Sequence, residues 1–354
     1  MVEPPKIGLD TPFSIGTLTL VNRLVLAPMA GIGTWFVRLQ AKRFGAGLVV
    51  SEMISAYGIH YRNRRTMREF LQIHPKEHPV SIQLFGADPA IMAGAAEVVA
   101  MAGADLIDIN MGCPVHKVCK TGAGAALIAN PDLAVSVASA VRESSDLPVT
   151  IKLRMGQRAG EEDGLRLAQR LAAEAGVAAI TIHPRPADCR HTGSPDYAAA
   201  ARLVDELPIP VMVTGGIVSG AKARLVFERT GCAAVLLARG AVGNPWHFRE
   251  TLDPLAVAPD PEEVIDELWW LLDSAAEHWG EGKAVRHLRQ IYPGFLKRLG
   301  GARSPAAQAL MNAQDFAEVR VATNALLANS LALGASDSRP MTPPGDHVDG
   351  YLVA

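Results

Sequence analysis

Apolar positions along the chain gather into eight short runs rich in Val, Ile and Leu: Leu24–Met29, Leu48–Met53, Val80–Phe85, Leu106–Met111, Val149–Arg154, Ala179–His183, Val211–Thr214 and Ala234–Ala238. Their hydrophobicity is continuous rather than alternating, which predicts strands covered on both faces. Between them lie Ala-, Leu- and Arg-rich stretches of helical character, among them Pro89–Ala102, Pro131–Glu143, Glu161–Ala175 and Ala221–Thr230. Eight alternations of strand and helix predict an α/β fold, a parallel (β/α)8 TIM barrel. A hairpin over Phe13–Leu24 precedes the first barrel strand. A doubly wound sheet is the competitor, and it needs Gly-x-Gly-x-x-Gly directly after an early strand. The nearest match, Gly122-Ala-Gly-Ala-Ala-Leu127, lies well past its strand and lacks the last glycine, so the barrel is preferred.

After Pro254 the texture changes. Pro254–Pro261 reads as a linker, and helices are predicted over Glu262–Trp279, Lys283–Ile291 and about Pro305–Leu333. The last stretch, Ala335–Ala354, is rich in Pro, Gly and Asp and is expected to be mobile. The expected division is a barrel domain over 1–252, a helical domain over 253–334 and a tail over 335–354. Trp269, Trp270 and Trp279 read as core packing rather than as platforms for bases.

With 354 residues, 49% of them hydrophobic, the chain can bury a large core. No run of ~18 apolar residues occurs, so no membrane helix is expected. The polar, proline-containing start, Met1–Phe13, lacks a signal peptide's apolar centre, and a cytoplasmic enzyme is the expectation. Four cysteines, Cys113, Cys119, Cys189 and Cys232, form no CxxC pair, and no histidine spacing completes a zinc site. Neither a disulfide framework nor a metal site is expected. A net charge of −2 argues against wholesale coating by nucleic acid but leaves room for local basic surfaces. Two stretches qualify: His60–Arg68, with Arg62, Arg64, Arg65 and Arg68, and Gly282–Gln314, with Lys283, Arg286, Arg289, Lys297, Arg298, Arg303 and no carboxylate. For each, a solvated helix face and RNA contact both stay open.

Barrel chemistry gathers where the strands end. There the fourth strand breaks at Gly112-Cys113-Pro114, which places a thiol on a rim loop followed by Lys117 and Lys120. Lys152 lies inside an apolar strand, where a cation is costly unless it meets an anion or loses its charge. An anionic ligand, Schiff-base chemistry and a salt bridge to Glu52 or Asp108 all remain open. Gly215-Gly216 and Arg239-Gly240 follow strands seven and eight, where barrels commonly hold phosphate, and this reading is preferred to simple tight turns. Gln83 is either a hydrogen-bonding partner for a heterocycle edge or a satisfied core amide. His183 and Arg185 suit an anionic or nucleobase ligand, whereas His60, His74, His78 and His191 read as surface or loop residues. The phosphate clamp, the amide and the buried cation together suit flavin mononucleotide.

The chain resembles the bacterial tRNA-dihydrouridine synthase family, flavin enzymes that reduce a uracil in transfer RNA. The resemblance rests above all on Ile109-Asn-Met-Gly-Cys-Pro-Val-His-Lys-Val118. Further matches are Leu26-Ala-Pro-Met-Ala-Gly31, Ser81-Ile-Gln-Leu84, Gly122-Ala-Gly-Ala-Ala-Leu127, Ile151-Lys-Leu-Arg154, Thr181-Ile-His-Pro-Arg185 and Gly243-Asn-Pro-Trp246. Together they span about residues 15–250, with a weaker echo of the family's helical tail from Arg286-His-Leu-Arg289 to Leu299. It implies that Pro28, Met29 and Ala30 flank the flavin ring, with Gln83 at its pyrimidine edge and Lys152 at its electron-accepting side. His183, Thr214, Gly215, Gly216, Ala238 and Arg239 complete the implied cofactor site. Cys113 is implied as the acid that protonates uracil C5 while reduced flavin delivers hydride to C6, and NADPH or NADH re-reduces the flavin. Asn110, Lys117 and Arg185, with Arg286 and Arg289 of the helical part, are implied to face the tRNA; a monomer is expected. Thr214, Ala238 and Pro186 depart from the family's usual Asn, Gly and Thr. A flavin barrel that reduces a small pyrimidine or enone, and an RNA-binding barrel without redox activity, are the competing readings.

Overall fold

The computed structural model describes residues 7–301 and 303–336. The eight predicted apolar runs become the barrel strands β1 (Leu24–Leu26), β2 (Leu48–Val50), β3 (Val80–Phe85), β4 (Leu106–Met111), β5 (Val149–Arg154), β6 (Ala179–His183), β7 (Val211–Thr214) and β8 (Ala234–Leu237). Each pairs in parallel with the next, β8 pairs with β1, and the β2–β3 pairing completes a closed ring. Closure leaves no sheet edge and turns every strand into a wall with an inner and an outer face. Outward residues such as Ile107, Ile109, Ile151, Leu153, Ile180 and Ile182 are fully buried against the surrounding helices. Each contributes about 1.5–3 kcal/mol relative to exposure.

The inner face has a polarity gradient that sets the site. At its lower end Val25, Leu48, Leu106, Ala179, Met212 and Leu236 pack with Phe13, Ile15 and Leu20 into a second apolar cluster. The last three belong to the N-terminal hairpin, Phe13–Ile15 paired antiparallel with Leu18–Leu20, which plugs the barrel floor. Further along, the inward positions of β3 to β6 turn polar: Ser81 and Gln83, Asp108 and Asn110, Thr150 and Lys152, Thr181 and His183. Strand register sets these side by side, Gln83 beside Asp108, Asn110 beside Lys152, and Lys152 beside Thr181.

The helices at Pro89–Met101, Pro131–Glu143, Asp163–Glu174 and Gly220–Thr230 fall where the sequence predicts them. Asp88 and Asn130 cap the first two by accepting the amides of Ile91 and Leu133, with Pro at the first turn of each. Strands β1 and β2 are shorter than predicted. The chain leaves the ladder at Pro28, and the Glu52 amide donates to the Gly33 carbonyl at 3.3 Å, so the rim loops tie to each other.

Asp253–Asp260 carries neither helix nor strand, and the helices Pro261–Trp279, Glu281–Leu288, Tyr292–Arg298, Pro305–Asn312 and Phe316–Ser336 follow. Two differences from the sequence reading have local causes. The single helix expected over Pro305–Leu333 is broken at 313–315, because Asp315 accepts the Glu318 amide at 2.9 Å and starts a new helix. The helix at Tyr292–Arg298 forms although Pro293 and Gly294 have low helix propensity. Pro293 sits in its first turn, and a side chain at Gly294 would fall 2.1 Å from the Val242 carbonyl oxygen, so close packing on the barrel demands glycine. The helical part docks through Glu267, which accepts from Gln40 and Arg43, and through Arg298, which reaches Asn244 and Glu250 at 2.9 and 2.7 Å. Trp269, Trp270 and Trp279 pack partly buried against the core. Of the expected tail, residues 337–354 lie outside the described residues. No helix of the described residues is long and apolar enough to cross a membrane.

Candidate active site

Asp108 is the hub of the polar layer. Its carboxylate accepts from Gln83 Nε2 and Thr150 Oγ1, both at 2.6 Å. Burial pushes its pKa up to about 6, against the two hydrogen bonds and Lys152, so it is ionised at neutral pH. Gln83 is 1% exposed and passes the order on, its Oε1 accepting from Asn110 Nδ2 at 2.9 Å. Asn110 Oδ1 then accepts the amides of Gly112 and Cys113 at 3.2 and 2.9 Å. A chain of side chains thus runs from the barrel interior to the loop that carries the thiol. Gln83 is here a satisfied amide and Asn110 a loop anchor.

Cys113 is half-buried on that loop. Its carbonyl accepts from the Ala125 amide at 3.0 Å and the Cys119 thiol at 3.3 Å, which fixes the backbone around it. Burial pushes the Cys113 thiol above its ordinary value, with the Val115 amide, Lys152 and Arg154 opposing. At neutral pH it carries its proton.

Lys152, opposite Asn110 in the ladder, is half-buried, and burial together with Arg154 lowers its pKa to about 8. It makes no hydrogen bond or ion pair among the described residues, so the salt bridge to Glu52 or Asp108 does not form. Glu52 instead accepts the Gly31 amide at 3.0 Å and steadies the strand-one loop that carries Pro28, Met29 and Ala30. An ammonium in this buried polar layer, with no hydrogen bond or ion pair among the described residues, is poised to bind an anion or an electron-rich ring.

On the next strand, beside Arg154 in register, His183 is buried and held neutral by that burial and by the nearby Arg154, Lys152 and Arg185. Its Nε2 lies 3.2 Å from Arg185 Nη1 and accepts from it. Arg185 is itself buried and donates Nε and Nη2 to the Gly193 carbonyl, so it pins the loop after β6. Gly215 has φ +103°, and a Cβ there would fall 2.4 Å from the His183 ring. Thr214 is buried, its hydroxyl donating to the Leu236 carbonyl. The amides of Gly215, Gly216, Arg239 and Gly240 give no hydrogen bond to the described chain, Ala238 precedes the short turn Arg239–Ala241, and the Arg239 side chain is exposed.

Pro28, Gln83, Asn110, Cys113, Lys152, His183 and Gly215 therefore gather around one barrel mouth. Lys117 stands exposed on the short helix His116–Cys119 beside it. Arg286 and Arg289 of the helical part differ from each other. Arg286 is exposed, whereas Arg289 donates to the Ala313 carbonyl at 2.7 Å, at the end of the helix Pro305–Asn312. Sequence reasoning gave no role to Ser51 and Thr150. Thr150 is a hydroxyl at an inward position of a wall strand, and Ser51, just past β2, accepts the Gln83 amide at 2.9 Å; both are legible only once the register is known.

A closed (β/α)8 barrel with a thiol and an unpaired lysine at the C-terminal ends of adjacent strands defines a barrel enzyme. Among solved structures the chain is similar to morphinone reductase (TM-score 0.52, 17% identity, 73% of this chain and 92% of that one). It is also similar to 2-naphthoyl-CoA reductase (TM-score 0.55, 12% identity, 70% of this chain and 52% of that one). At such identities the likeness speaks for the fold alone. The model of the family "Dihydrouridine synthase (Dus)" matches residues 25–329. The chain is 40% identical over 303 residues to tRNA-dihydrouridine synthase B of Pseudomonas aeruginosa, covering 83% of this chain and 90% of that protein. It is 37% identical over 284 residues to the protein of that name from Shewanella oneidensis, covering 77% and 87%. The chain belongs to the dihydrouridine synthase family and is an oxidoreductase.

Proposed function

We propose that this enzyme reduces a uridine of tRNA to 5,6-dihydrouridine, with flavin mononucleotide as its bound redox group and NADPH or NADH as reductant. The observation that carries the reading is Lys152, a cation lodged in the barrel wall with no hydrogen-bond or ion-pair partner among the described residues, one strand from the loop of Cys113. The residues present fit a flavin. Lys152 would hold the electron-accepting side of the ring system, and its charge below pH about 8 suits negative charge arising there. Pro28, Met29 and Ala30 would flank the ring, with Gln83, whose amide keeps one hydrogen beyond its bond to Asp108, at its edge. Free amides at Gly215, Gly216, Arg239 and Gly240, backed by the Arg239 guanidinium, would cradle the phosphate. His183 and Thr214 would brace that cradle.

When bound, flavin mononucleotide supplies hydride to uracil C6 and recovers it from the nicotinamide. The protein's own part is the proton. Cys113 keeps its thiol hydrogen at neutral pH and gives it to C5, which leaves a thiolate that Lys152 and Arg154 stabilise. Asn110 holds the two amides that orient this loop, Lys117 stands on the rim where a flipped-out nucleotide would enter, and Arg185 would shape that entrance by pinning the loop after β6. The test is dihydrouridine in tRNA from a strain lacking the gene, with and without the gene restored. A missing modification that returns on restoration supports the reading, and an unchanged content refutes it in favour of a small-molecule substrate.

A further inference from the structure

The segment between β2 and β3 carries a dense basic run beside the barrel mouth. From His60 to Arg68 it holds Arg62, Arg64, Arg65 and Arg68 and no carboxylate. Residues 60–65 and Arg68 are exposed. The next residue, Glu69, is the only acid near them in sequence, and it is taken by Arg65 at 3.3 Å and by Lys283 at 2.9 Å. Arg62, Arg64 and Arg68 are left without an ion pair or side-chain hydrogen bond among the described residues. Beside them Tyr57 and Tyr61 lie 40% and 72% exposed, ring centroids 6.3 Å apart and 23° from parallel, with His60 edge-on to Tyr61. The loop is built rather than loose. Ser55 accepts the Gly58 amide, Asn63 accepts the amides of Arg65 and Thr66, and the Arg62 and Asn63 amides return to the Ile59 and Gly58 carbonyls at 2.8 Å. Arg62 turns the chain with φ +49°.

Large exposed aromatic faces beside unpaired arginines are what an unstacked base and its flanking phosphates require. A purely anionic partner would use the arginines and have no need of the tyrosines. The place also suits a strand entering the site. Glu52, at the start of this segment, holds Gly31 of the strand-one loop, and Lys283 ties Glu69 to the helical part, so the patch bridges the barrel mouth and the helices. We propose that Tyr57 and Tyr61 form a stacking platform for an unpaired nucleotide of the substrate RNA, with Arg62, Arg64 and Arg68 as its phosphate contacts. This rests on the reading that tRNA is the substrate.

The test is filter binding of tRNA to full-length protein at several salt concentrations, beside dihydrouridine formation. Tyr61→Ala, and Tyr57→Ala with it, should weaken binding about 5- to 150-fold per lost base stack, while Tyr61→Phe keeps the affinity. The triple change Arg62→Ala, Arg64→Ala, Arg68→Ala should flatten the log–log salt slope by roughly 2–3. Active wild type with unchanged affinity and slope in these variants overturns the platform and leaves the tRNA reading intact. Loss in the arginine variant with none in Tyr57→Ala, Tyr61→Ala overturns the stacking half. Weakened binding in both sets, with wild type that forms no dihydrouridine, supports the surface and sinks the activity. Wild type that binds no tRNA ends both.

Discussion

Lys152 is held charged in a wall that does not favour charge, and this has a measurable consequence. Its pKa, lowered from 10.5 to about 8, corresponds to roughly 1–3 kcal/mol of lost stability at neutral pH once its partial exposure is discounted. The native state releases this proton near pH 8 and the unfolded chain only near 10.5. The cost is therefore complete below pH 8 and disappears as the pH climbs through that window. Lys152→Met should raise the urea midpoint of the protein at pH 7, and the gain should shrink by pH 9.5; a variant less stable at pH 7 would show that the ammonium has a partner. At the same mouth, Cys113→Ala should keep flavin and tRNA affinity while single-turnover reduction slows about 10²–10⁴-fold, the usual worth of a positioned acid. Unchanged turnover would remove the thiol from the chemistry. These two residues were legible in the sequence because each breaks a local rule, a lysine in an apolar strand and a thiol at a Gly-Cys-Pro break. Asp108 and Thr150 break none, since a polar residue at alternate positions can face either way, and only the ring of registers turns them inward.

Elements were easier to read than their purposes. Runs of Val, Ile and Leu located all eight wall strands, and Ala-, Leu- and Arg-rich stretches located the helices that begin at Pro89 and Pro131. The hairpin ahead of β1 was also visible, but its job was not, because plugging a barrel floor depends on contacts with strands far along the chain. Ile15 and Leu20 are fully buried there, packed with Val25, Leu106, Met212 and their neighbours. Ile15→Ala should cost about 2–5 kcal/mol by urea denaturation, as for other large-to-small changes in a closed core. A loss under 1 kcal/mol would mean that the barrel floor closes without the hairpin. Helix ends failed for two reasons, one in tertiary packing and one in a local cap. Gly294 is required by the Val242 carbonyl, and Asp315 restarts a helix that composition alone would have run through.

On the scale of the whole molecule the basic run of the helical part divides into structural and free cations. Lys283 pairs with Glu69, Arg298 with Glu250, and Arg289 holds the carbonyl end of the helix Pro305–Asn312, where a cation is favoured. Arg286, Lys297 and Arg303 are exposed and pair with nothing among the described residues. In sequence the six are indistinguishable, because their partners lie on distant segments or on the backbone. Charge reversal should separate them. Arg289→Glu leaves the Ala313 carbonyl unsatisfied and sets a carboxylate at a helix C-terminus, so it should destabilise the fold by about 1–3 kcal/mol. Arg286→Glu should leave the urea midpoint within roughly 0.5 kcal/mol of the parent. If tRNA lies across the helices, the same change should weaken tRNA binding and lower the salt slope by about 1. Equal slopes for the parent and Arg286→Glu would confine the RNA to the barrel mouth, where the arginines after β2 would carry the phosphate contacts without help from this helix.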